Sequence, residues 1–191
     1  LFGHRFLDGD DLPTRMVDEG GNARVYTYDD LKRLSGATDL GGGEYLFTHD
    51  DTGLSALTDP EGVVIGLNHN SAGFITRVTW PDGGIHRVEY DRQNHPTRIT
   101  RPSGFTIDRT YDNLGQVLRR RGSDGLDERF TWSPAGTMTS VDDATGTTTM
   151  TYDGGNAITS IRQGSGGQVT VSRDVSGRMT AVSAVGADGG M

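Results

Sequence analysis

Cysteine is absent, which rules out a disulfide framework and a thiolate metal site. Apolar residues are scarce, at 32% of 191 positions, too few for a sandwich with a thick core. No apolar stretch nears the ~20 residues of a transmembrane helix, so no membrane insertion is expected. Positive charge is also short. With 18 Lys and Arg against 26 Asp and Glu the net charge is −8, which argues against a nucleic-acid partner. The one basic run, Arg119-Arg120-Arg121, reads as a solvated strand end. The five histidines never stand at HExxH spacing, and GxSxG, Walker and GxGxxG patterns are all missing. Asp8-Gly9-Asp10-Asp11 opens like a calcium loop but lacks the later ligands. No catalytic, cofactor-binding or metal residue is therefore assigned, and an enzyme is not expected.

What the chain does have is glycine, 29 residues, spaced for turns rather than clustered as a linker. The spacing belongs to an internal repeat. Its lead positions are Leu7, Tyr28, His49, His69, Tyr90, Tyr111, Trp132, Tyr152 and Arg173, always 20 or 21 residues apart. A second mark runs in step through Gly20, Gly41, Gly62, Gly83, Gly104, Gly125, Gly146 and Gly166, with Gly189 closing the last copy. Residues 1–191 read as a single array of about nine repeats, with both ends looking cut from a longer array.

Each column has a physical reason. After the lead residue stands Asp8, Asp29, Asp50, Asn70, Asp91, Asp112, Ser133, Asp153 or Asp174, short acceptors able to bond the backbone two residues on. Three residues later come Asp11, Lys32, Gly53, Gly73, Asn94, Gly115, Gly136, Asn156 and Gly177. All but Lys32 tolerate φ > 0, so strain or a different turn is expected at Lys32. Large, polar, large residues run up to the lead position, as in Phe130-Thr131-Trp132, the period of a half-buried strand. A second short strand follows. Its apolar marks lie six and nine residues after the lead (Met138 and Val141; Ile158 and Ile161), a spacing of three that predicts a bulge or a mark still in the turn. Asp59-Pro60-Glu61-Gly62 and Pro81-Asp82-Gly83-Gly84 mark a second turn.

Each copy is thus a β-hairpin of about 21 residues, and the class is all-β: tandem hairpins in a continuous antiparallel, spiralling sheet. The residues expected to carry the repeat are Tyr28, Asp29, Asp50, Gly53, Gly73, Tyr90, Asp91, Tyr111, Asp112, Gly115, Trp132, Gly136, Tyr152, Asp153 and Gly177. The lead column would form a cross-strand ladder of rings on one face.

Tyr90-Asp91, Tyr111-Asp112-Asn113-Leu114-Gly115 and Tyr152-Asp153, repeating in register, resemble the YD repeat of Rhs-repeat proteins. The resemblance covers about residues 7 to 190, with departures at Lys32, Leu7, Arg173 and Trp132-Ser133. It implies a fragment of a hollow shell, as in bacterial Rhs polymorphic toxins, the shell components of Tc toxins and the similar shell of teneurins. On that footing the chain would be a non-catalytic wall segment that encapsulates and helps deliver a C-terminal toxin domain. Its partners would be the remainder of its own shell, the enclosed toxin and secretion-machinery proteins, and it would be secreted or on a bacterial cell surface. The competing expectation is a cell-surface adhesion or carbohydrate- or protein-binding module built from the same repeats. In this family autoproteolysis depends on an end-of-array motif; Asp59-Pro60-Glu61-Gly62 looks slightly like part of it but occupies an ordinary turn, so no catalytic residue is carried over.

Overall fold

The computed structural model describes residues 2–186, with side chains from His4 onward; the closing Asp188-Gly189-Gly190 turn lies outside them. The chain divides into two compact units, Leu1–Glu89 with Thr100–Gly104, and Tyr90–Ile99 with Phe105–Met191. Both contain only strands and turns among the described residues.

The first unit holds β1 (Phe2–Leu7), β2 (Pro13–Asp18), β3 (Ala23–Tyr28), β4 (Leu34–Thr38), β5 (Glu44–Asp50), β6 (Gly53–Thr58), β7 (Val64–His69), β8 (Ile75–Thr79) and β9 (Ile85–Tyr90). The second holds β10 (Pro96–Thr100), β11 (Thr106–Tyr111), β12 (Val117–Gly122), β13 (Asp127–Trp132), β14 (Met138–Asp143), β15 (Gly146–Tyr152), β16 (Ile158–Arg162), β17 (Gln168–Arg173) and β18 (Met179–Val185). Sequence neighbours pair antiparallel from β1 through β9 in the first unit. The same holds from β11 through β18 in the second.

The first turn of each hairpin is built the same way. In the Tyr111 repeat Asp112 donates its N–H to the Gln116 carbonyl (2.9 Å), and Gly115 donates to the Asp112 carbonyl (3.2 Å). This is a type I turn closed by a left-handed residue, Gly115 at φ 79°. Gly73, Gly136 and Gly177 hold φ 82°, 79° and 78° at the same place. Lys32 makes this turn too, at φ 62° and with its N–H 2.8 Å from the Asp29 carbonyl, rather than a different one. Asp11, Asn94 and Asn156 adopt φ 62°, 64° and 61°.

A bulge accounts for the spacing of three. Thr110 opposes Arg119 but Tyr111 opposes Val117, so Leu118 has no opposite number. The register shifts at the same step in the Trp132 and Tyr152 hairpins. Met150 then faces Ile161 and Tyr152 faces Ile158, which puts all four side chains on one face. The two 20-residue gaps come from loops one residue shorter: Asp50 pairs with Gly53, and Asp143 with Gly146. In the second turn the left-handed glycine is Gly21 (φ 83°) and Gly42 (φ 84°) in the first two repeats, one residue beyond the Gly20 and Gly41 marks. The sequences Gly20-Gly21 and Gly41-Gly42-Gly43 offered a choice that spacing alone could not make.

No hydrophobic side chain is buried among the described residues. The sheet of each unit is a single layer, with half-buried ladder residues alternating with exposed ones, as along β15. Its cohesion comes from the backbone ladder, the turn bonds and lateral contact between repeats, since a lone hairpin is marginal in water.

Candidate functional site

The feature that recurs in both units is the ladder face. There the polar tip of a lead residue reaches back one repeat. Tyr28 Oη donates to the Pro13 carbonyl at 2.9 Å, Tyr111 Oη to Pro96 at 2.8 Å, and Tyr152 Oη to Met138 at 2.6 Å. Trp132 Nε1 donates to Val117 at 2.8 Å, and Arg173 Nη2 to Ile158 at 3.2 Å. Every acceptor is the residue that opens the second strand of the preceding hairpin. Tyr, Trp and Arg are interchangeable here because each carries a donor at the end of a long side chain. The two departures, Trp132 and Arg173, therefore keep the bond. Leu7 has no donor, and Nδ1 of His69 is buried without a partner. Burial raises the Tyr111 and Tyr28 phenols above their ordinary range.

The Asp column sits beside this face and closes the turns. Asp112 Oδ1 accepts the N–H groups of Leu114 (2.8 Å) and Gln116 (2.9 Å). Asp29, Asp91, Asp153 and Asp174 repeat the pair of bonds. Asn70 and Ser133 do so without a charge. Asp50, in its shorter loop, accepts from Thr52 and from Gly53. A backbone N–H of Arg33 lowers the Asp29 carboxyl, and the hydroxyl of Thr52 lowers Asp50. The residue four further on bonds the second oxygen, a link that sequence reasoning missed although its i,i+4 spacing was visible. Arg33 Nε lies 2.8 Å from Asp29, and Gln116 Nε2 lies 3.1 Å from Asp112.

One of these links resembles catalytic equipment. His95 Nδ1 stands 3.1 Å from Asp91 Oδ2, and the His95 ring packs on Tyr111 with centroids 4.9 Å apart. The hollow beside them, about 270 Å³, is lined by Asp91, Gln93, His95, Tyr111, Asp112 and Asn113. It offers no serine, threonine or cysteine nucleophile. The second ring nitrogen is directed at the backbone: a Cβ at Gly115 would stand 2.8 Å from Nε2. Asp91 and His95 thus occupy the places of Asp29 and Arg33, and the pair closes a turn. Among the described residues no group of three or more His, Cys, Asp or Glu is placed to hold a metal ion.

The basic run is not a solvated strand end. It lies within β12, where Arg119 makes two bonds to Asp127 (2.7 and 2.6 Å) on one face and Arg120 meets Glu128 (2.5 Å) on the other. The partners come eight residues later, on the adjoining strand of the next hairpin.

The fold and this face define a hairpin-repeat scaffold held by bonds between consecutive repeats. Residues 87–184, just over half the chain, match the teneurin YD-shell family. The chain belongs to that family, as a segment of a YD shell. Among solved structures it is similar to the Tc holotoxin pore of Photorhabdus luminescens, with TM-score 0.60 and 14% identity over 95% of this chain and 15% of that one. The crystal structure of TcdB2-TccC3 gives TM-score 0.60 and 12% identity over 97% of this chain and 15% of that one. At these identities the likeness is one of fold, and the chain spans about 15% of the length of each. No curated protein sequence matches the chain.

Proposed function

We propose that the chain is part of the wall of a YD shell that encloses a toxin domain and helps deliver it. The observation that carries this reading is a one-layer sheet with a half-buried ladder and, among the described residues, no buried hydrophobic core. Such a sheet gains stability only from further repeats, and a wall is what repeats of this kind build. The likeness of fold to a Tc holotoxin pore supports a toxin assembly as its setting. On this reading residues 1–191 are one array of about nine repeats, carried by the fifteen lead, Asp and Gly positions named from the sequence. Its partners are the rest of the shell, the enclosed toxin and the secretion machinery. The protein is secreted or displayed on a bacterial surface.

The test is protease protection of the cargo. In the intact shell protein the cargo domain should survive a protease dose that digests the same domain expressed alone. Equal digestion rates would overturn the proposal. Selective binding of the purified chain on a glycan array, together with an unprotected cargo, would give the role to surface adhesion instead.

A further inference from the structure

From the second repeat on, the two central columns of the ladder face are apolar or aromatic except in the Tyr111 repeat. Two residues before the lead position other repeats carry Phe47, Leu67, Val88 and Phe130, and in the facing column Val78, Ile99, Val141 and Ile161. The Tyr111 repeat has Arg109 on β11 and Arg120 on β12 in these places. They stand in one row: Arg109 opposes Arg120, and Arg120 opposes Glu128 on β13. Arg5 takes the first of these places too, but it opposes Met16.

The charges in the row do not balance. Arg120 Nε lies 2.5 Å from Glu128 Oε2, and that side chain is only 15% exposed. One carboxylate therefore serves two guanidiniums, leaving one positive charge over. Arg109 is half-buried, and among the described residues no carboxylate lies within ion-pair reach of it. Its guanidinium lies against the Tyr111 phenol, whose proton goes to the Pro96 carbonyl. Asp91, also near that phenol, is held by His95. Asp108 and Asp127 alternate onto the opposite face, where Arg98 and Arg119 take them. Like charges directly opposite one another weaken a sheet, and a half-buried charge needs a partner. An apolar residue in place of Arg109, as at Leu67 or Val88, would relieve both.

We infer that Arg109 and Arg120 form a docking site for a carboxylate side chain of an acidic polypeptide segment laid on the ladder face. Guanidiniums on neighbouring strands can grip one carboxylate by charge-assisted hydrogen bonds. Glu128 fixes Arg120 and Tyr111 positions Arg109. Ile107 and Phe130, two residues along on the same face, offer apolar surface on either side of the acid. A single surplus charge suits a single carboxylate. A polyanion such as nucleic acid would meet the −8 of the whole chain instead.

The test is titration of the purified chain, followed by arginine side-chain NMR. The probes are a blocked peptide of glutamate among valine and threonine, and its glutamine counterpart. The glutamate peptide should shift the Arg109 Nε–H signal and bind roughly tenfold more tightly than the glutamine one, the value of a charged hydrogen bond. Arg109→Leu should erase that difference while leaving the melting temperature unchanged or higher. Arg129→Leu, which removes the same charge from the opposite face, should leave the difference in place. Equal binding of the two peptides, or a difference that survives Arg109→Leu, would overturn the proposal. Loss of the difference in Arg129→Leu would mean a general charge effect and would also overturn it. So would a lower melting temperature for Arg109→Leu, which would make Arg109 a structural residue. Inorganic phosphate binding as tightly as the glutamate peptide would give the site to a free anion and overturn the acidic segment.

Discussion

Replacing Gly115 isolates the turn from everything around it. The residue is at φ 79° and its N–H closes the turn on the Asp112 carbonyl. A non-glycine residue in this region costs about 1–2 kcal/mol, and a β-branched one more. Reduced freedom of the unfolded chain returns about 0.4–1 kcal/mol for alanine. A second cost is steric, since Cβ would stand 2.8 Å from His95 Nε2. That atom ends a side chain able to shift, at the loss of its packing on Tyr111 and its contact with Asp91. Gly115→Asn should cost under about 1 kcal/mol, since Asn94 and Asn156 hold φ 64° and 61° at this place. Gly115→Ala should cost about 1 kcal/mol and Gly115→Val about 2–3 kcal/mol. Gly136 gives the control: its φ is 79° and a Cβ there meets nothing within 4 Å. Gly136→Val should therefore be milder than Gly115→Val by the His95 contribution alone. Thermal and urea unfolding of the series decide the matter. Wild-type melting of Gly115→Val, or equal costs for asparagine and valine, would refute the turn geometry.

The other expectations are smaller. Tyr111→Phe removes the 2.8 Å bond to the Pro96 carbonyl and should cost about 1 kcal/mol in urea unfolding; no loss would mean the bond contributes nothing. Lys32→Asn should raise the melting temperature by the equivalent of a few tenths to about 1 kcal/mol, because asparagine tolerates φ 62° better and the Lys32–Asp10 pair it removes is exposed on both sides. A lower melting temperature would show that the ion pair outweighs the strain. Asp29, Asp50 and Asp143 titrate below the ordinary carboxylate value when folded, so on acidification the unfolded chain binds protons first. Their stabilisation is full above about pH 4 and is lost as pH falls below that through the depressed values. The melting temperature should drop between neutral pH and about pH 3, and Asp50→Asn should flatten the slope; a rise on acidification would contradict the sign.

The period, the hairpin and the turn chemistry were legible because each rests on local rules. Asp112 and Gly115 make one turn within four residues, and the alternation in Phe130-Thr131-Trp132 needs only its own strand. The bulge was legible as a misfit, a spacing of three that an unbroken strand forbids. What stayed hidden depends on a second repeat. That Tyr111 reaches the Pro96 carbonyl follows from how the bulge aims its ring across the neighbouring hairpin, and no column of residue types records a backbone acceptor. This is also why Arg173 looked like a departure: as a ladder member it is not aromatic, but as a donor it fits. Arg119-Arg120-Arg121 was misread for the same reason, because adjacent strand residues point to opposite faces and their partners, Asp127 and Glu128, lie on the next strand. Lys32 shows a column rule overridden by its neighbours, since the turn bonds around Asp29 hold it at φ 62°.

The central claim is that the sheet is a wall with an inside and an outside. These 191 residues hold no cysteine, so one introduced here can be labelled once any others in the intact protein are replaced. Ser140 and Val141 are neighbours on β14 that face opposite ways, Ser140 opposite Thr131 and Val141 opposite Phe130. In the intact shell protein, Ser140→Cys and Val141→Cys should differ sharply in reaction with a bulky maleimide, one labelling freely and the other protected until the shell is unfolded. Equal labelling of both in the native protein would mean that both faces see solvent, and the chain would not be a shell wall.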